Sequence, residues 1–234
     1  MNIVAPEAVL LPNPTTGEAF DAEAAKNLMR HIERCGRTCY KSEDKITDDS
    51  AERFIANLIR RGHESVLEHF SVTVRFTCDR GVTHEIVRHR VASYSQESTR
   101  YCNYKQGKFG SEVTYIDLRG GMALDPTMKS LSAGQVSAIY DEWMLACEDA
   151  ENHYFRMLDL GASPQMARSV LNNSTKADIV ATMNLREWRH FFRLRCDMAS
   201  HPQMRQVALK LFRQMYELMP PLFEDIHDQL AEYL

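Results

Sequence analysis

No apolar run in this 234-residue sequence approaches the ~18–20 residues that span a bilayer. The opening stretch, MNIVAPEAVLLPNP, has no Lys or Arg and is broken by Pro6, Pro12 and Pro14, so it lacks the charged start and apolar centre of a secretion signal. The 6 cysteines (35, 39, 78, 102, 147 and 196) form no CxxC pair and read as reduced thiols, several of them core residues, which implies a cytoplasmic setting. Also missing are GxGxxG, the P-loop, the GxSxG elbow and HExxH. These absences argue against a Rossmann or P-loop nucleotide site, a serine nucleophile at an α/β-hydrolase turn, and a metalloprotease-type zinc site. Net positive charge is lacking too. With 28 Lys+Arg against 32 Asp+Glu the chain carries −4, unlike a general nucleic-acid coat.

What is present is an average globular composition, 44% hydrophobic and 26% charged, without repeats or low-complexity stretches. The length suits one large domain. Apolar spacing predicts a helix over 20–35 that stops near Gly36 and another over 48–61 with Gly62 just past its end. Period-two alternation in FSVTVRF predicts a strand over 70–76, and strands are expected over 112–118 and 177–183. A short helix is expected over 82–89, a polar loop over 93–110, a long helix over 132–158 and a short one over 164–171. Helices follow over 185–195 and 202–219, and a last acidic one comes after Pro220-Pro221. PNPTTG, 12–17, reads as a loop. The expectation is one α+β domain over 1–234, with a small antiparallel or mixed sheet packed against several helices.

Charge is unevenly distributed. Acids crowd 141–151 and the tail from Glu217, while two stretches, 80–105 and 184–195, are basic islands. The first runs Arg88-His89-Arg90, then Ser93, Ser95, Gln96, Glu97, Ser98, Thr99 and Arg100. Guanidinium forks with hydroxyls and backbone N–H groups suit a phosphate and the carbonyl edge of a pyrimidine. A solvated turn with incidental charges has the same composition. In the second island, helical spacing puts Trp188, Phe191, Phe192 and Arg195 on one side, facing the core, and Arg186, Arg189, His190 and Arg193 on another. On that aromatic side Arg195 needs a partner or ligand, unless it snorkels at the helix C-terminus. Arg168, flanked by apolar residues, is either a surface charge or a third phosphate ligand. His63, Glu64, Glu68 and His69 lack metal-ligand spacing and read as a polar binding loop. The charge of Arg195 next door would lower the thiol pKa of Cys196, though no adjacent His activates it. Two arginine-rich sites with no evident nucleophile or metal suggest an anion-binding enzyme whose chemistry a cofactor carries. The competing class is a single-stranded nucleic-acid binder using the interleaved Arg and aromatics of 186–195.

Arg88-His89-Arg90 followed by seven residues and Ser98, with Arg100-Tyr101 behind it, resembles the RHR-x7-S signature of the flavin-dependent thymidylate synthases. The likeness extends in order through Gly62-His63-Glu64-Ser65, Glu68-His69, Ala167-Arg168, Asn184-Leu185-Arg186, Leu194-Arg195, His201 and Gln203. The resemblance implies FAD as cofactor, dUMP and methylenetetrahydrofolate as substrates, NADPH as reductant and a homotetramer whose active sites join several subunits. By position, Ser65, Glu68, Arg88, His89, Arg90, Gln96, Asn184, Arg186, His190, Leu194 and His201 would contact the flavin cofactor. Glu85, Arg88, Gln96, Glu97, Ser98, Thr99, Arg100, Arg168 and Arg195 would bind dUMP, with Arg195 the catalytic group on the uracil ring. Gln96 stands where many relatives carry Glu, and His190 where Asn is common.

Overall fold

The computed structural model describes residues 1–12, 17–107 and 110–231; most of the loop expected at 12–17 lies outside them. The elements in chain order are β1 (Asn2–Val4), β2 (Glu7–Leu10), α1 (Ala22–Thr38), α2 (Ser50–Arg60), β3 (Ser71–Asp79), α3 (Arg80–Ile86), β4 (Ala92–Gln96) and β5 (Thr114–Ile116). They continue with α4 (Arg119–Leu124), α5 (Ala133–Asp159), α6 (Pro164–Ala167), β6 (Lys176–Asn184), α7 (Leu185–Arg195), α8 (Pro202–Leu218) and α9 (Pro220–Leu230). A 3-10 turn, Glu64–His69, leads into β3. The result is the expected mixed α+β unit. Its main sheet is antiparallel in the order β2-β3-β6-β4, and β1 and β5 form a separate parallel pair.

Strand periodicity explains the layers. Val72, Val74, Phe76 and Cys78 of β3 and Ala177, Ile179, Ala181 and Met183 of β6 are all buried in one face. That face packs on Trp188, Phe191 and Phe192 of α7 and on Val207, Leu211 and Phe212 of α8. The intervening residues make the other face polar: the Thr73 and Thr182 hydroxyls are 2.9 Å apart and the Thr77 hydroxyl donates to Asp178 at 2.6 Å. β6 passes directly into α7 through Asn184, whose Oδ1 accepts the backbone N–H of Glu187 at 2.9 Å. The start of α7 is thereby fixed at the end of a central strand.

Two expectations change and one stretch gains elements. The region 93–110 is not wholly loop, because Ala92–Gln96 forms the sheet edge, with Tyr94 opposite Ala181. Its sequence, ASYSQ, is short and carries only Ala92 and Tyr94 toward the core, and it is held by β6 and by the Tyr94 hydroxyl, which donates to the carbonyls of Ile86 and His89 at 2.8 and 2.6 Å. The opening stretch contributes two short strands, pinned by β3 and β5 rather than by their own propensity. Helix α1 does not stop at Gly36 but continues to Thr38.

Gly36 is there for close approach: a Cβ would lie 2.7 Å from the Phe54 ring and 3.3 Å from Val66. The Arg37 guanidinium lies 4.6 Å over that same ring. Overpacking costs about 1–3 kcal/mol, against the ~1 kcal/mol Ala gains over Gly in a helix interior. Gly36→Ala is therefore expected to lower the denaturation midpoint; a raised midpoint would mean that Phe54 yields freely.

Candidate active site

The aromatic side of α7 is anchored as its spacing predicts. Trp188, Phe191 and Phe192 are each 0% exposed, and the Trp188 indole N–H donates to the Val72 carbonyl at 3.0 Å. No base can stack on rings so buried, so the nucleic-acid reading loses its platform. Arg189 departs from the expected pattern. Instead of sharing the solvent side with Arg186, His190 and Arg193, it is fully buried under α9. Its Nη1 and Nη2 donate to the two Asp225 carboxylate oxygens at 2.9 and 2.8 Å, Nη2 to Glu64 at 3.1 Å, and Nη1 also to the Leu222 carbonyl. One acid of the tail thus meets the second basic island within the chain.

Arg195 closes the helix and has the partners its position demanded. Nη1 donates to Glu85 Oε2 at 2.6 Å, Nη2 to the Glu85 carbonyl at 2.8 Å, and Nε to His89 Nε2 at 3.1 Å. A guanidinium only donates, so His89 Nε2 is the acceptor and the ring proton sits on Nδ1. That nitrogen faces Glu187 Oε1 at 3.0 Å. Burial, chiefly, lowers the pKa of His89; Arg195 and His190 act in the same direction and Glu187 opposes them. The result is a neutral imidazole clamped between two residues of α7. Cys196, next in sequence, is not activated by Arg195. It is buried, and burial pushes its thiol up to about 12.

Beside this cluster is a cleft of about 620 Å³, lined by Glu68, Val91, Asn184, Arg186, Glu187, His190 and their neighbours. It gathers four of the expected cofactor residues, Glu68, Asn184, Arg186 and His190, from the 3-10 turn and the first turns of α7. Arg186 Nη1 lies 2.5 Å from Glu68 Oε1. Ser65 is exposed on the same 3-10 turn, and Arg88 and Arg90 are exposed between α3 and β4. Leu194 is exposed beside Arg195. Glu64, read from sequence as part of a polar loop, is committed to Arg189 and Arg193. Of the expected cofactor residues that do not line this cleft, two face other groups. His201 is exposed at the N-terminus of α8, with Asp79 and Asp125 as its charged neighbours. Gln96 ends β4, where its Nε2 donates to the Thr83 hydroxyl at 3.1 Å.

The turn after β4 forms a second cluster. The hydroxyl of buried Thr99 accepts from Arg168 Nη1 at 3.1 Å, which joins the two segments that sequence separates by 69 positions. Arg100 is exposed over the Tyr101 ring, and Ser98 Oγ accepts the Arg100 backbone N–H at 3.4 Å. Glu97 turns away from this cationic group: it takes Lys176 Nζ at 3.0 Å and the Tyr104 hydroxyl at 3.3 Å. Among the described residues Arg88, Arg90, Arg100 and Arg168 have no carboxylate partner. Their charge is left available to an anionic ligand.

Residues 23–221 match the family model described as thymidylate synthase complementing protein. A protein of Geobacter sulfurreducens named flavin-dependent thymidylate synthase is 33% identical over 218 residues, covering 88% of this chain and 82% of the relative. The chain belongs to the flavin-dependent thymidylate synthase family. A family member of Mycobacterium tuberculosis is 34% identical over 204 residues, covering 83% of this chain and 78% of its own. Among solved structures, a UMP/dUMP methylase from Streptomyces cacaoi bound with 5-Br dUMP shares the fold at a TM-score of 0.72 and 26% identity, over 96% of both chains. The family resemblance is carried by Arg88-His89-Arg90 with Ser98. Glu187 could not be read in the same way, because its partner His89 lies 98 positions away and a carboxylate in the first turn of a helix is unremarked in a sequence. Among the described residues no helix is long and apolar enough to cross a membrane.

Proposed function

We propose that the protein methylates dUMP to dTMP, taking the one-carbon unit from 5,10-methylenetetrahydrofolate, with FAD as cofactor and NADPH as reductant, as a cytoplasmic homotetramer. The observation that carries this reading is the pairing of two unlike anion-binding features. Arg100 and the Arg168–Thr99 pair, with no carboxylate on either guanidinium among the described residues, lie in the same chain as a guanidinium fork, Arg195, held by fixed partners.

The residues fit the cofactor. A cleft of about 620 Å³ is of the size that takes a planar ring system. Asn184 spends its Oδ1 on the helix cap, which leaves its amide NH2 as a donor, and Arg88 and Arg90 bring uncommitted charge for a pyrophosphate. Glu68, Asn184, Arg186 and His190 would hold the cofactor. Bound there, FAD would supply the hydride that completes the methyl group.

The remaining steps fall to the chain. Arg88, Arg100 and Arg168 grip the nucleotide phosphate, Arg168 with its fork braced on Thr99. Arg195 polarises the N3–C4=O edge of the uracil, spreading negative charge through the ring and making C5 nucleophilic. No thiol has to add to the ring, which agrees with Cys78, Cys147 and Cys196 being buried and their thiols pushed up by that burial. The uracil edge competes with Glu85 for the outer nitrogens of Arg195, so substrate binding exchanges one acceptor for another.

The test is the visible spectrum of the purified protein. It is expected to be yellow, to bleach with dithionite, and to change when dUMP is added. A colourless protein that takes up no added FAD would overturn the reading.

A further inference from the structure

We propose that Glu187 is a positioning residue of this site: by accepting the Nδ1 proton of His89 it fixes the tautomer whose Nε2 holds the Nε–H of Arg195. The proposal rests on the reading of Arg195 as the group that polarises the uracil.

The geometry is a four-member chain, Glu187 to His89 to Arg195 to Glu85, with contacts of 3.0, 3.1 and 2.6 Å. Each link has one permitted direction. Arg195 has only donors, so His89 must offer a bare nitrogen. A neutral imidazole has one, and the partner of the other nitrogen decides which. Glu187 is an acceptor, so it draws the proton to Nδ1. With the proton on Nε2 instead, two donors would face each other and the Nε contact of Arg195 would be lost. The side chain of His89 is only 2% exposed, so water is a poor substitute for either partner.

The fold holds both ends of this clamp on one rigid element. Glu187 is fixed in the first turn of α7 by the Asn184 cap, and Arg195 is the last residue of the same helix. The eight intervening steps rise about 12 Å, and the His89 ring bridges them from the segment between α3 and β4. The ring is further confined by Phe191, 5.0 Å between centroids, and by the Tyr94 hydroxyl on the His89 carbonyl. The plane of the Arg195 guanidinium is therefore set before substrate arrives, at a position where a small tilt would misdirect the fork.

The experiment compares wild type, Glu187→Ala, Glu187→Gln and Arg195→Ala, each as holoenzyme. Turnover is counted per bound flavin, and His89 is observed by 15N spectra of histidine-labelled protein. Wild type is expected to show a neutral Nδ1–H imidazole. Glu187→Ala is expected to shift the population toward Nε2–H and to lower kcat about 10- to 100-fold, by analogy with the loss of the carboxylate that orients a metal-bound histidine. Glu187→Gln, whose carbonyl can accept the same proton, should restore most of both signals. An unchanged tautomer in Glu187→Ala overturns the proposal whatever happens to the rate, because the role would then be structural only. Wild-type turnover with a changed tautomer overturns it equally. Wild-type turnover in Arg195→Ala would instead overturn the underlying reading of Arg195.

Discussion

Arg195→Ala is expected to lower turnover per bound flavin by about 10²–10³-fold, the cost of deleting one preorganised donor group from a developing oxyanion. The variant should fold. The core contacts of α7 come from Trp188, Phe191 and Phe192, all fully buried. The group that loses most, the Glu85 carboxylate, is 29% exposed and can take water. Binding of dUMP should weaken only a few-fold, since the arginines proposed to grip the phosphate are on other elements. The loss belongs to kcat, where an interaction that strengthens as charge develops makes its contribution. Arg195→Lys should recover little. One ammonium cannot reproduce a planar fork that serves the Glu85 carboxylate, the Glu85 carbonyl and His89 Nε2 at once. Near-normal turnover in either variant, with thermal unfolding unchanged, would remove Arg195 from the chemistry.

Much of the frame behind that prediction is legible in the sequence. Strands β3 and β6 and helix α7 follow from periods of two and 3.6. The aromatic side of α7 lies where the spacing put it, and Arg195 needed a partner and has one. The failures share a cause: they depend on what a distant segment does. ASYSQ forms a strand because β6 offers it an edge. Gly36 looks like a helix stop until the Phe54 ring is seen against it. Arg189 lies on the polar side of a helical wheel, and only α9 folding over it makes that side an interior. The site shows the same division. Family likeness could nominate Glu68, Asn184, Arg186 and His190, which line one cleft. Other positions nominated by the same likeness, His201 and Gln96 among them, do not line that cleft. It passed over Glu187, whose importance is a matter of proton position on a ring it meets only in the fold.

Arg189 is where the largest stability effect is expected. Arg189→Leu should destabilise the protein by about 3–5 kcal/mol, the cost of breaking a buried ion pair by removing one partner. The guanidinium is fully buried and serves Glu64, Asp225 and the Leu222 carbonyl together. Without it, two carboxylates share a site with only the partly exposed Arg193 to balance them. The pH dependence tests the cause. Burial alone would raise Glu64 and Asp225, yet Arg189 and Arg193 hold both below their ordinary carboxylate values. In the wild type those lowered groups contribute stability that is fully present above the unfolded values near about 4. It is lost as pH falls through the folded ones. In Arg189→Leu burial regains the upper hand, so acid relieves the strain by protonating the pair. The gap in unfolding free energy between wild type and variant should therefore narrow as pH is lowered from 7 toward 3. A gap constant over that range would mean that the variant suffers from packing alone. Replacing Asp225 by Leu as well should recover part of the loss at neutral pH, because one unbalanced carboxylate leaves with the arginine. The same lesion reaches the site, since Glu64 begins the 3-10 turn that carries Glu68 into the cleft. Arg189→Leu is thus expected to release bound flavin at temperatures below its own unfolding midpoint.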